Sequence, residues 1–199
     1  MGRKISPMKK IFGKKKTRRI ITVVVLAVLT AVFAENEKGG KKMGRAIFAG
    51  GCFWGVEAFF QQLDEVVDTT VGYIGGHTRN PTYEEVCRHN TGHAEAVEVI
   101  YDSSRISYEN LLRYFWRIHD PTTLNRQGPD MGDQYRSAVF YLNPEQKAAA
   151  EKVKREMQKY WENPIVTEIV PAGTFYPAEK YHQDYFKKHG ARGCHYLRK

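Results

Sequence analysis

Residues 49–60 read AGGCFWGVEAFF, and the chain ahead of them, Ala46-Ile47-Phe48, is a short apolar run. Beyond the cysteine, apolar residues recur at Phe53, Val56, Phe60 and Leu63, the spacing of one helix face, so a helix is predicted over Phe53–Leu63. Cys52 therefore stands at a strand-to-helix corner. Unpaired N–H groups and the helix dipole favour negative charge there, and a thiolate is what makes a cysteine nucleophilic. Gly50 and Gly51 permit close approach of a backbone or ligand, a poor arrangement for a cysteine that merely fills a core. Phe53 fits the apolar stripe; Trp54 does not, and an aromatic ring off the stripe beside a thiol reads as the wall of an apolar subsite.

Working outward, strands are expected at Arg45–Gly50, Val66–Ile74, His93–Tyr101, Ser137–Leu142 and Ile165–Val170. Helices are expected at Pro81–Arg88, at Tyr108–His119 with Ser107 as N-cap, from Pro144 to about Tyr160 with Asn143 as N-cap, and at Ala178–Lys188. Strands and helices mix without regular βαβ alternation, which points to an α+β fold: a mixed sheet with packed helices, in one compact domain.

Side chains alternate along a strand, so Glu95 shares a face with Val97 and Val99. Among valines its charged form loses solvation, which raises its pKa and suits it to act as a general acid. The competing reading is an edge-of-sheet glutamate paired with an arginine such as Arg136. Tyr83 and Tyr135 lie in turn-rich contexts and could donate to a developing oxyanion, but with twelve tyrosines in the chain the residues alone do not single them out. His182, in KYHQDYF, could support the pocket or sit on one side of an amphipathic helix, and the helix is the reading expected. The three cysteines, Cys52, Cys87 and Cys194, show no CxxC or paired His/Cys spacing, so no metal site is expected.

The 199 residues carry a formal charge of +9, but residues 1–34 hold nine Lys/Arg and no acid, and the remainder balances at 22 basic against 22 acidic residues. A nucleic-acid footprint would persist as a basic stripe in the folded domain, so nucleic acid is not an expected partner. What the basic residues flank is Ile20–Ala34, fifteen uncharged residues with small residues near a cut site, the pattern of a secretory signal peptide over 1–34. The alternative is an uncleaved membrane anchor, for which about 20 apolar residues are usual. Residues 35–42 read as a polar linker, and the domain spans 43–199, outside the cytoplasm.

AGGCFWGVE, the NPTYEEVC and TGHAEAVEV runs and DQYRSA together closely resemble the peptide methionine sulfoxide reductases of type A. The resemblance covers the chain from about Met43 onward and implies a two-layer, ferredoxin-like core. It also implies a repair oxidoreductase acting on methionine-S-sulfoxide in oxidised proteins, in peptides and as the free amino acid. By the same resemblance Cys52 is the nucleophile, Phe53 and Trp54 hold the substrate methyl group, Glu95 donates a proton to the sulfoxide oxygen, Tyr83 and Tyr135 bind that oxygen, and Asp130 lines the pocket. Cys194 matches the resolving position, with Cys87 as the weaker candidate and a buried filler by its context. No cofactor is implied beyond an external dithiol, thioredoxin or similar. Because the site is expected outside the cytoplasm, an extracytoplasmic donor is expected too. Read from Cys52 alone, the chain could instead be a thiol peroxidase or disulfide oxidoreductase, although the aromatic pair argues against a peroxide pocket.

Overall fold

In the computed structural model, residues 42–190 and residue 197 are described; residues 1–34, most of the expected linker, and Cys194 lie outside them. Six strands form one mixed sheet in the order β7-β6-β1-β3-β2-β8: β1 (Met43–Gly50), β2 (Val66–Ile74), β3 (Ala94–Asp102), β6 (Ser137–Tyr141), β7 (Glu168–Pro171) and β8 (Tyr176–Pro177). The central four are antiparallel neighbours, β6-β1-β3-β2. With α1 (Phe53–Phe60) after β1 and α3 (Tyr108–Ile118) after β3, they make the βαββαβ ferredoxin-like core. β7 extends it in parallel beside β6, and β8 closes the β2 edge.

Alternation sorts the side chains as the strand period requires. Ala46 and Phe48 of β1 and Val97, Val99 and Tyr101 of β3 join the larger core under α1, α3 and α4 (Pro144–Met157). Ile47, Ala49, Ala94 and Ala96 face the other way into a smaller cluster with Phe140. Glu95 is odd-numbered and so lies on the larger core's face, in a strand with neighbours on both sides.

Several boundaries differ from expectation for local reasons. α1 ends at Phe60, with Leu63 held by a turn bond to the Phe60 carbonyl instead of a helical one. The helix expected over Ala178–Lys188 is reduced to α5 (Tyr185–His189). There the Gln183 side chain bonds both backbone groups of Val71, and Asp184 sits at φ +55°, which no helix accommodates. A small hairpin, β4 (Arg126–Gln127) with β5 (Asp130–Met131), was not anticipated, nor was β8; two-residue strands leave no periodicity to read.

Candidate active site

The corner that carries Cys52 is built from its two glycines. Gly51 has φ +95°, a left-handed conformation that side chains disfavour. At Gly50 a Cβ would lie 3.0 Å from the Phe115 ring and 3.2 Å from that of His119. The strand can thus end against α3 and turn into α1 with half-buried Cys52 as N-cap residue. Behind it runs a buried polar chain. His119 Nδ1 is 2.7 Å from the Phe115 carbonyl oxygen and donates to it, and Nε2 is 2.7 Å from Ser137 Oγ. Ser137 meets Thr167 at 2.7 Å, and the Trp116 indole N–H donates to Thr167 at 2.9 Å. Ser137 is the register partner of Gly50, so the chain braces the strand end that delivers the thiol.

The Phe53 backbone N–H, the next donor along the helix start, gives its hydrogen to Glu95 Oε2 at 3.1 Å. β3 thereby brings its buried carboxyl to the residue adjoining Cys52, across 42 positions of sequence. Only 2% of Glu95 is exposed, and burial pushes its pKa up to about 8 against the opposing effect of the Phe53 bond, with the Asp130 charge adding to the rise. Arg136 is not its partner: that guanidinium holds the Gly92 and Asp133 carbonyls and Glu168.

Both tyrosines lie within reach of this carboxyl's charge. Tyr83 opens α2 (Tyr83–Cys87), which has a capping box made by Thr82 and Glu85, and Tyr135 ends a single 3-10 turn after Gly132. Burial holds both phenols protonated well above their ordinary range, and each also senses the Glu95 charge. Tyr135 further senses Asp130 and Cys52, so the residues singled out from the sequence are gathered at one place, Cys194 excepted as lying outside the described residues.

Phe53 is buried in the core as its stripe required, and its ring lies 6.4 Å from that of half-buried Trp54. Two expectations about the surroundings need correction. His182 is not on a solvated helix face; it is 1% exposed, accepts the Trp54 indole N–H at 3.1 Å, and packs against the Phe53 and Tyr83 rings. Burial lowers its pKa, against the pull of Glu179. Cys87 is no buried filler: it is half-buried, bonded by the Tyr83 side chain, and its thiol pKa is raised by desolvation and by the Glu95 charge. Only the i to i+4 spacing of Tyr83 and Cys87 hinted at that pairing. Among the described residues no group of three or more His, Cys, Asp or Glu could hold a metal ion.

The arrangement couples a thiol at a helix start, a carboxyl protonated near neutrality, two phenolic donors and an aromatic wall. It can protonate an oxygen on a small apolar group while sulfur is attacked. Comparison with known proteins gives the same direction. The family model described as peptide methionine sulfoxide reductase matches residues 44–199. A peptide methionine sulfoxide reductase MsrA of Methanosarcina acetivorans is 60% identical over 156 residues, 77% of this chain and 83% of that one. The reduced form of Mxr1 from Saccharomyces cerevisiae superposes with TM-score 0.75 at 41% identity, covering 79% of this chain and 93% of that one. Mxr1 in complex with Trx2 matches with TM-score 0.56 at 33% identity, over 79% and 91% of the two chains. A match over the whole folded domain, at such identity and with the same architecture, makes this chain a member of the peptide methionine sulfoxide reductase family.

Proposed function

We propose that the protein is a thiol-dependent oxidoreductase that returns methionine-S-sulfoxide, in oxidised proteins, in peptides and as the free amino acid, to methionine. The observation that carries this reading is the 3.1 Å bond from the Phe53 N–H to Glu95, which sets a proton-bearing acid beside the cysteine. A sulfoxide oxygen leaves poorly until protonated. Neutral Glu95 supplies the proton, Tyr83 and Tyr135 donate to the oxygen as charge develops, and Cys52 thiolate attacks the sulfur. Phe53 and Trp54 grip the methyl group, and Asp130 lines the pocket. In the adduct so formed the protonated oxygen passes from the substrate sulfur to the Cys52 sulfur as the bond between the two sulfurs breaks, so that two electrons have moved from the thiolate to the sulfoxide, methionine departs and Cys52 is left as a sulfenic acid. The Cys194 thiol then condenses with it, releasing water and forming a disulfide. An external dithiol reduces that disulfide by exchange. The Mxr1–Trx2 complex supports a thioredoxin-like donor for this relative.

Purified protein with dithiothreitol and each sulfoxide epimer tests the reading. Turnover of the S epimer alone, abolished by Cys52→Ser, is expected. Peroxide consumption without sulfoxide turnover would overturn it.

We further propose export, on the strength of the basic and then apolar pattern of residues 1–34, either cleaved after Ala34 or retained as an anchor. An exported enzyme needs its donor on the same side of the membrane. Cell fractionation with N-terminal sequencing should find the protein outside the cytoplasm; cytosolic protein beginning at Met1 would contradict both inferences.

A further inference from the structure

Glu179 takes no part in the reaction above, yet its one carboxylate reaches toward two of the groups that hold the substrate. Its place is set by β8, which pairs with β2 at Gly72 and Tyr73, and by the Ala178 N–H, which donates to the Val71 carbonyl at 2.9 Å. The chain then turns: the His182 N–H donates to the Glu179 carbonyl at 2.9 Å, and the Gln183 amide donates to the carbonyls of Val71 and Ala178. Glu179 is thus held against β2 from both sides.

Its two oxygens serve different partners. Oε1 accepts the Tyr83 backbone N–H at 2.9 Å. Tyr83 is the first residue of α2, where N–H groups have no helical partner, so a carboxylate 96 positions away seats the helix start and, with it, the phenol. Oε2 accepts the Tyr73 hydroxyl at 2.9 Å and lies 3.8 Å from His182 Nε2. Partial burial opposes the charge of Glu179, but the Tyr83 N–H, its own backbone and the Tyr73 hydroxyl outweigh that and hold its pKa below the ordinary carboxylate value.

His182 extends this reach to the aromatic wall. Its Nδ1 accepts the Trp54 indole N–H at 3.1 Å, so the neutral ring carries its one hydrogen on Nε2. Nε2 is buried without a hydrogen-bond partner among the described residues, and the Glu179 carboxylate faces it at 3.8 Å. The other tautomer would set an N–H against the Trp54 N–H and a lone pair against the carboxylate. Both contacts repel, so the charge of Glu179 selects the tautomer that accepts from Trp54.

We propose that Glu179 is a positioning residue for both ends of the sulfoxide: it seats Tyr83 directly and, by fixing the tautomer of His182, orients Trp54. This rests on the roles given to Tyr83 and Trp54 above. The two arms act on different constants. The wall grips a methyl group present in ground state and transition state alike, so losing its orientation raises the concentration needed for half-saturation. The Tyr83 hydroxyl meets charge that develops in the transition state, so displacing it lowers the limiting rate.

The test is single-turnover formation of methionine by full-length protein, without reductant, over a range of concentrations of a peptide carrying methionine-S-sulfoxide. Glu179→Gln keeps an oxygen for the Tyr83 N–H but turns an N–H donor toward His182, favouring the tautomer to which Trp54 cannot donate. Half-saturation should rise about three- to tenfold, with the limiting rate within about twofold of the parent. Glu179→Ala removes both arms and should in addition lower the limiting rate about tenfold. In a Trp54→Phe background, with no indole N–H to orient, Glu179→Gln should leave half-saturation where that background sets it. Tyr73→Phe removes the carboxylate's remaining bond, touches neither arm, and should shift neither constant by more than about twofold. If Glu179→Ala does not fold, Glu179→Gln and its cycle with Trp54→Phe decide alone. Parent constants in Glu179→Gln, the same rise in the Trp54→Phe background, an undiminished limiting rate in folded Glu179→Ala, or the Glu179 losses reproduced by Tyr73→Phe would each overturn the proposal. A parent that forms no methionine from the S epimer overturns the proposed activity and this role with it; a fully active parent beside unaltered Glu179 variants overturns this role alone.

Discussion

At the scale of single residues, Glu95 shows how one carboxyl is prepared for acid chemistry. Burial among valines disfavours its charge, while the Phe53 N–H favours it; desolvation is the larger effect and leaves the pKa near 8. Neutral below that pH, it can donate. Activity should accordingly fall as pH rises through about 8, since the donor has then lost its proton. Glu95→Gln retains the shape and the hydrogen-bonding but has no proton to transfer. We expect turnover to drop about 10²- to 10⁴-fold, measured on the S epimer under saturating dithiol. The alkaline limb assigned to Glu95 should vanish in the residual rate. That Glu95 would be desolvated was legible from alternation along GHAEAVEVIY. That Arg136 would be engaged elsewhere was not, because its partners come from loops and a strand remote in sequence. Which of its two readings His182 would take was not legible for a similar reason. Its partner Trp54 is 128 residues away, and a histidine amid KYHQDYF has no local mark of burial.

At the scale of elements, the best-written helix was also the best predicted. In α4 the Asn143 side chain accepts the Gln146 N–H at 2.8 Å, Pro144 stands in the first turn, and Gln146 Oε1 returns to accept the Leu142 N–H. α4 carries none of the site residues. Asn143→Ala should therefore cost about 1 kcal/mol in denaturant unfolding and leave turnover unchanged. A loss of activity at full folding would mean that α4 takes part in the site. Ser107 caps α3 in the same way, accepting the Asn110 N–H. The C-terminal helix failed where these succeeded: its sequence has helical spacing, but Gln183 and Asp184 find better partners in β2 and α1 than a helix could offer. Tertiary bonds overrode local preference.

For the molecule as a whole, two buried carboxyls make stability depend on pH in a direction opposite to that of an ordinary salt-bridged acid. Glu57, with its pKa up to about 7 through burial and the charge of Asp184, and Glu95 at about 8 both hold protons in the fold where the unfolded chain, at its ordinary 4.5, is ionised. Their stabilising contribution is complete below that ordinary value. It is lost as pH rises through 7 for Glu57 and through 8 for Glu95. The Tm should therefore decline from about pH 5 to pH 8.5, and the double variant Glu57→Gln/Glu95→Gln should flatten that decline. Buried His93 and His182, with lowered pKa values, act in the opposite sense at the acid end of the interval, so equal pH slopes in the parent and the double variant would show that neither carboxyl is protonated in the fold.

By itself the sequence determined whatever depends on neighbours along the chain: the strand alternation that turned Glu95 inward, the caps of α3 and α4, the two-glycine corner at Cys52, and the motifs that mark the family. Only the tertiary structure decided which distant groups meet. The Phe53 N–H on Glu95, Trp54 on His182 and Glu57 on Asp184 join residues 42, 128 and 127 positions apart. Such bonds are selected by the order of strands in the sheet and by competition for buried donors and acceptors, which no local pattern encodes.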